Sequence, residues 1–516
     1  MKSITMIALL SSLLSELRNN RLSENTKIFL VYLFSGGFIL VNTYLIYKEM
    51  YWAIAIPILI ITLFYFIFSF DKVLLLIIFI TPFSVKLKDA GLNVGVSLPA
   101  EPLMLAVLLI FLLKIMFDYQ YDRKILRHVV AIAILLNLLW IFITSVTSQI
   151  PVVSFKFFVA RLWFVIPMFF VLLLYLKNYE NIRRIWWYYA TAFVLVIFYT
   201  ITNHYLHGFA PKSNTWVMDP FFNDHTAYGA ALCMFIPLFG GFVFNRAYKL
   251  QTRAMALIFF LIMVLALILS FSRAAWVSLA VALPFMVVLY FKIRFRYILL
   301  SVILFFGLIY VLRFEILNYL AKNEQDSSAH FIEHVRSITN ITTDASNLER
   351  VNRWQSAFRM FDQRPVFGYG PGTYQFLYAP YQRARDRTII TTNFGDVGNA
   401  HSEYIGPLAE SGLLGMLTFV FVAVSAIATG VRVYRRTTER EIKIFVLGLT
   451  TGLITYLAHG LLNNFLDTDK LSVPFWGFVA TLVALDLFHV QQNKKKEIAA
   501  GNSITTENSA NSNTSA

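Results

Sequence analysis

Charged residues are scarce in this sequence. Asp, Glu, Lys and Arg fill 14% of its 516 positions, where a soluble domain carries about 25%. That deficit excludes a water-soluble globule, because too little polar surface remains to clothe one. Cysteine is nearly absent. Cys233 stands alone inside an apolar run, which rules out an intrachain disulfide framework and a cysteine metal site. The alternating ten-residue segments of a transmembrane barrel are missing. So is the order of a cleavable signal peptide: Arg18 and Arg21 follow the mildly apolar stretch Met1 to Leu17 instead of preceding it.

What is present is apolar. Hydrophobic residues make up 58% of the chain, and they gather into runs close to or above the roughly 18 residues that a membrane helix needs. The sequence predicts an all-α polytopic membrane protein. Candidate spans lie at 28–47, 51–70, 72–85, 101–117, 128–147, 154–176, 186–206, 226–245, 254–271, 274–291, 297–314, 413–431, 443–463 and 472–489. The span 72–85 is short enough to be tilted or re-entrant, and the pair 254–271 and 274–291 is joined only by "SFSR". The helix count is therefore about 12–14.

Lys and Arg set the orientation. With the N-terminus in the cytoplasm, more than half of the 44 basic residues fall on cytoplasmic segments, among them Arg123, Lys124 and Arg127, and Lys494, Lys495 and Lys496. The short outer loops hold only Lys48, Lys86, Lys88, Lys212 and Lys470. The net charge of +15 is thus mostly a topological signal and calls for no nucleic acid. The division that follows is a cytoplasmic segment 1–27, membrane helices over 28–314, a large outer loop 315–412, membrane helices over 413–489, and a low-complexity cytoplasmic tail 490–516, polar enough to stay disordered.

The outer loop carries Arg336, Arg350, Arg353, Arg359, Arg364, Arg383, Arg385 and Arg387, which topology does not explain. Within it, "NLERVNRWQSAFRMFDQRPVFGYGPGTYQF" reads as a helix and then a turn. Val351, Trp354, Phe358 and Phe361 recur at helical spacing, with Arg350, Arg353 and Arg364 flanking the stripe. One reading is an amphipathic helix on the membrane that offers arginines to an anionic head group. The other is a surface helix with solvated arginines. Pro365 stops the helix, and "GYGPG" is a tight turn.

Further on, "GNAHSEYIGPLAESGLLG" predicts a short outer helix over 400–411, closed by Gly412, and then a span from Leu413. His401 at the helix start, with Glu403 and Glu410 following, is either a catalyst or a cap. Arg273 stands at the mouth of the hairpin "LSFSRAAW". Lys156 and Arg161 lie on a span, where ionisable groups mark a polar cavity, a bound anion or an acidic partner, unless they reach the interface. "DPFFNDHTAYG" sets Asp219, Asp224 and His225 on an outer loop, as hydrogen-bonding groups or a weak metal signal.

These residues resemble the O-antigen ligase family of membrane glycosyltransferases. The segment His401, Ser402, nine residues, Gly412, two residues, Gly415 is similar to the family's histidine motif. "SFSRAAW" looks like its Ser-Arg-small motif, and "ERVNRW" followed by "RPVFGYGPGTY" like its Arg-x-x-x-Trp helix and Pro-x-x-Gly-x-Gly turn. The resemblance covers roughly 200–475. It implies a GT-C-type helical bundle in the bacterial inner membrane, with the active site facing the periplasm. It also implies a glycan donor on undecaprenyl diphosphate and no cofactor, metal or ATP. His401 is then the base at the acceptor hydroxyl, and Arg273 and Arg350 hold the donor diphosphate, with Arg353 able to replace Arg350. Glu403, Arg161, Asp224 and His225 are possible supporting residues. The acceptor is a lipid A–core sugar in an O-antigen ligase, another lipid-linked glycan in a polymerase, or a protein hydroxyl in an O-oligosaccharyltransferase. A lipid-linked glycan transporter would explain the arginines but not His401, and the paired broken helices that mark transporters are not evident.

Overall fold

The computed structural model describes residues 24–48, 70–86, 95–117, 121–210, 213–293, 345–384, 391 and 398–490. The chain divides into two compact units, Met1–Val73 and Leu74–Ala516. In the first, the described residues form helix α1 (Glu24–Tyr47) and the opening turn of α2 (Phe70–Ile80). The second unit is almost entirely helical. A two-residue antiparallel hairpin, β1 (Val85–Lys86) and β2 (Ser97–Leu98), pairs Val85 with Leu98. Then come α3 (Ala100–Met116), α4 (Arg123–Leu126), α5 (Val129–Val146), α6 (Pro151–Val165), α7 (Tyr179–Leu206), α8 (His225–Phe244), α9 (Leu250–Leu269) and α10 (Arg273–Tyr290). The following segment contributes α11 (Ala345–Gln363) and α12 (Tyr374–Leu377), and the chain continues as α13 (Ile405–Arg436), α14 (Arg440–His459) and α15 (Asp469–Ala484).

Among the described residues, nine helices are long and apolar enough to cross a membrane. The protein is an all-α polytopic membrane protein. The span expected at 186–206 begins earlier, at Tyr179, because Asn178 caps it by accepting from the Glu180 N–H at 3.0 Å. Its first turns are polar, so hydropathy alone does not count them into the span. The segment 72–85 forms only the 11-residue α2 and a 3-10 turn over Thr81–Phe83. At 1.5 Å per residue α2 spans roughly 17 Å, well short of a 30 Å hydrocarbon core. The expected spans 51–70 (but for Phe70) and 297–314, the whole of 315–344 with Arg336, Arg385 and Arg387, and the terminal segments lie outside the described residues.

The helices sort by burial. α15 and its π-helical extension Leu485–Val490 form the best-enclosed span, and α9 and α10 are mostly exposed, as lipid-facing helices are. α8 packs against α14. A methyl added at Gly448 would lie 2.8 Å from the Leu238 Cα, and one at Gly452 2.3 Å from the Met234 carbonyl oxygen. Small residues let the two backbones meet, the usual means of helix association where hydrophobic collapse gives no drive.

α11 differs from expectation in which face it buries. Glu349, Asn352, Arg353, Ser356, Ala357 and Met360 turn inward. Val351, Trp354 and Phe361 are half-buried, and Phe358 is exposed. The polar face goes in because it has partners there: Asn352 Nδ2 donates to Gln382 Oε1 at 3.3 Å, and the Tyr374 hydroxyl donates to the Arg353 carbonyl at 2.7 Å.

Candidate active site

Two helix starts meet first. α8 opens at His225 and is capped by Asp224, whose Oδ1 accepts from the Thr226 N–H (2.7 Å), the Thr226 hydroxyl (2.6 Å) and the Ala227 N–H (2.8 Å). α10 opens at Arg273. One turn into α8, a methyl on Gly229 would lie 2.9 Å from both the Ala275 and Ser272 Cβ atoms. The helices therefore touch at their N-terminal ends, and this brings Arg273 toward His225. Asp224, Arg350 and Arg273 all act electrostatically on the His225 imidazole. Residues from the hairpin mouth, the 219–225 loop and α11 thus act on one imidazole.

His401 feels two of the same groups, Arg350 and Asp224. It does not stand on a helix: α13 begins at Ile405, and His401 occupies the preceding turn with φ 49°, a left-handed conformation in which histidine is enriched. The turn is built around Arg353. That guanidinium pairs with Glu349 (Nε to Oε1, 2.9 Å), donates to the Asn399 carbonyl (3.0 Å) and lies over the Tyr378 ring at 5.6 Å. Asn399 Oδ1 in turn accepts the His401 N–H at 3.0 Å. Gly398, at φ 106°, leaves room for the guanidinium, since a methyl there would sit 1.9 Å from Nη1. Burial, and then Arg353 and Arg350, push the His401 imidazole down to about 4, against smaller opposing effects of Asp224 and Glu349. The ring is therefore neutral at pH 7.

Glu403 does not contact the ring. Its carboxylate turns the other way and accepts from the Tyr456 hydroxyl (2.6 Å) and the N–H groups of Phe465 (2.8 Å) and Leu466 (2.9 Å). Burial raises its pKa, opposed by Arg161 and these hydrogen bonds. Its own N–H donates to the Gly460 carbonyl at 2.8 Å. Arg161 donates to the Leu466 carbonyl at 3.1 Å and feels Glu403, Glu410 and Asp467, which supplies the acids that a cation on a span requires. Glu410 accepts the Tyr374 N–H at 3.0 Å. These groups form a second polar cluster that clamps loop 460–468 to the His401 turn. Lys156 is exposed on α6. The Asp219 carbonyl accepts from the Tyr199 hydroxyl at 2.8 Å. Among the described residues, no group of three His, Cys, Asp or Glu side chains is placed to hold a metal ion.

The break at Gly412 is where the "GYGPG" turn docks. Gly412, at φ 69° and ψ −170°, interrupts α13. The Gly370 N–H donates to the Glu410 carbonyl (2.7 Å), and the Leu413 N–H to the Pro365 carbonyl (2.9 Å). Trp140 of α5 donates to the Ser411 carbonyl at 2.8 Å and stacks on Phe367 at 5.8 Å.

A family model described as O-antigen ligase matches residues 258–420. The chain carries an O-antigen ligase family domain. No curated protein matches it. The matched segment contains Arg273, Arg350, Arg353, His401 and Glu403, and its family comprises membrane glycosyltransferases of the O-antigen ligase and polymerase type. Asp224, His225 and Arg161 lie outside the matched segment but pack against it. So does His459, which the sequence did not single out. Buried at the end of α14, with Nε2 3.2 Å from Asn463 Nδ2, it is acted on by Asp224 and Arg350, two of the groups that act on His401. A lone histidine closing an apolar helix gives no signal in a sequence.

Proposed function

We propose that the protein transfers a glycan from undecaprenyl diphosphate to an acceptor hydroxyl at the periplasmic face of the bacterial inner membrane, with a lipid A–core sugar as acceptor. The observation that supports this reading is that Arg273 and Arg350, from separate elements, both act on the His225 imidazole, and that Arg350 also acts on the neutral His401. Two forked cations suit a diphosphate, which each can meet bidentately. As the anomeric carbon–oxygen bond breaks, charge builds on the leaving diphosphate, and fixed guanidinium groups stabilise it. The acceptor oxygen bonds to the anomeric carbon and gives its proton to His401. A bound diphosphate also offsets the positive charge beside His401 and raises its basicity once the donor is in place. Arg353, engaged by Glu349 and Asn399, positions the His401 turn while Arg350 meets the donor. Glu403 and Arg161 hold the turn from below.

A strain lacking the protein tests the acceptor. Loss of long-chain lipopolysaccharide with lipid-linked polymer retained supports ligation. Lipopolysaccharide bearing single repeats would assign the protein as a polymerase instead. Unchanged lipopolysaccharide with unglycosylated envelope proteins would assign it as a protein transferase.

A further inference from the structure

We propose that a small cleft beside Asp224, lined by Lys86, Asn223, Thr468, Phe221 and Phe465, binds a polar substituent of a sugar ring, a hydroxyl or an acylamido group, on one of the two glycan substrates. The proposal rests on the glycan-transfer reading above and adds a contact that selects the sugar. The cavity measures ≈ 40 Å³, space for roughly three water-sized groups. A diphosphate or a whole sugar ring does not fit, but a substituent does.

The floor of the cleft is already satisfied. Lys470 Nζ donates to the Thr81 carbonyl (2.6 Å), the Ser84 carbonyl (2.5 Å) and the Ser84 hydroxyl (2.6 Å), and pairs with Asp469. Asp469 also accepts from the Ser84 hydroxyl. The walls are not satisfied. The Lys86 ammonium is half-buried and donates no hydrogen bond among the described residues, although Glu101 and Asp467 feel its charge. Asp224 uses Oδ1 for all three capping bonds, and its Oδ2 accepts none among the described residues. The cleft thus offers a donor and an acceptor side by side. A hydroxyl, which both donates and accepts, satisfies both. An anion would meet Asp224 and Asp469, and a cation would meet Lys86 and Lys470. Phe221 and Phe465 give apolar walls for the C–H edge of a ring. Asp224 also acts electrostatically on His401, which couples the cleft to the group that, in the reading above, receives the acceptor's proton.

The test uses the full chain in lipid nanodiscs, with donor and acceptor varied separately. Losing a hydrogen bond to a charged group lowers affinity about tenfold. Lys86→Met should therefore raise KM about tenfold for one substrate, with kcat within about twofold. A rise for the donor places the donor sugar in the cleft, and a rise for the acceptor places the acceptor sugar there. Lys86→Arg should recover part of the loss. Asn223→Ala, at an exposed position, decides the matter if the Lys86 variant does not fold, and should raise the same KM about threefold. Undecaprenyl diphosphate without a glycan should inhibit Lys86→Met and wild type equally, since it has no sugar to place. Unchanged KM values for both substrates overturn the proposal, as does a fall in kcat alone, which would make Lys86 only a counter-charge for Glu101 and Asp467. Failure of undecaprenyl diphosphate to inhibit the wild type would instead overturn the donor reading.

Discussion

The acid limb of the pH–rate profile tests the environment built around His401. Its imidazole moves from 6.5 to about 4, chiefly through burial and then through Arg353 and Arg350. A shift of that size corresponds to about 3 kcal/mol favouring the neutral ring. The plot of kcat/KM against pH reports the free enzyme. At pH 5.5 an ordinary histidine is about 9% neutral and this one about 97%. Transfer measured at low donor and acceptor concentrations should therefore stay near its plateau at pH 5.5 and fall only toward pH 4. His401→Gln should lower the plateau by about 10² to 10⁴-fold and remove the limb. Arg350→Gln should move whatever limb remains to higher pH. The same shift appears in stability. The unfolded chain binds the extra proton between pH 6.5 and 4, so this group's contribution is present at neutral pH and lost as pH falls through that window. A wild-type midpoint at or above 6 would refute the claim that burial and two arginines govern the ring.

Arg273→Lys and Arg350→Lys should each weaken undecaprenyl diphosphate inhibition about tenfold or more, because an ammonium cannot reproduce the fork; near-normal inhibition and turnover in both would make them ordinary interfacial arginines. Gly398→Ala forces a left-handed φ of 106° on alanine and sets a methyl 1.9 Å from the Arg353 guanidinium, so transfer should fall at least about tenfold, with backbone strain alone costing about 1–2 kcal/mol. Glu403→Gln turns three buried charge-assisted hydrogen bonds into neutral ones and adds a donor with no acceptor. Detergent-solubilised protein should lose about 3 kcal/mol, read as a lower melting temperature, and an unchanged value would mean the carboxylate bears no structural load. A cysteine at Asn347 should react with an impermeant thiol reagent before the inner membrane is lysed; labelling only after lysis would reverse the topology.

Most of the helical framework was legible because membrane helices announce themselves by length and hydropathy. The hairpin 254–271 and 274–291 appears as α9 and α10, turning through Phe271 at φ 49°. Hydropathy says little about polar helix ends, which is why α7 begins earlier than expected. It also misleads at α11. A soluble helix buries its apolar stripe, whereas this one buries Glu349, Asn352 and Arg353, whose partners come from distant segments. The motif residues around His401 were visible as residue types, but their directions were not. Whether Glu403 faces His401 or Tyr456 depends on how Gly460 meets the turn. His459 left no trace, because its importance lies only in its neighbours.

The interruption of α13 at Gly412 also sets a height. Residues 405–411 form a rigid spacer of seven residues between the His401 turn and the break, with a rise of about 10 Å. The polar layer on one side of a bilayer is roughly 5–7 Å thick. The Pro365 carbonyl, accepting from the Leu413 N–H, and the Glu410 carbonyl, accepting from the Gly370 N–H, fix its far end; under the proposed function, a spacer of that length would set the imidazole at the level where a lipid diphosphate emerges. On that function, these two helical turns are the ruler between lipid and chemistry. One residue more or less in that ruler would turn His401 by about 100° around the helix axis, away from Arg350.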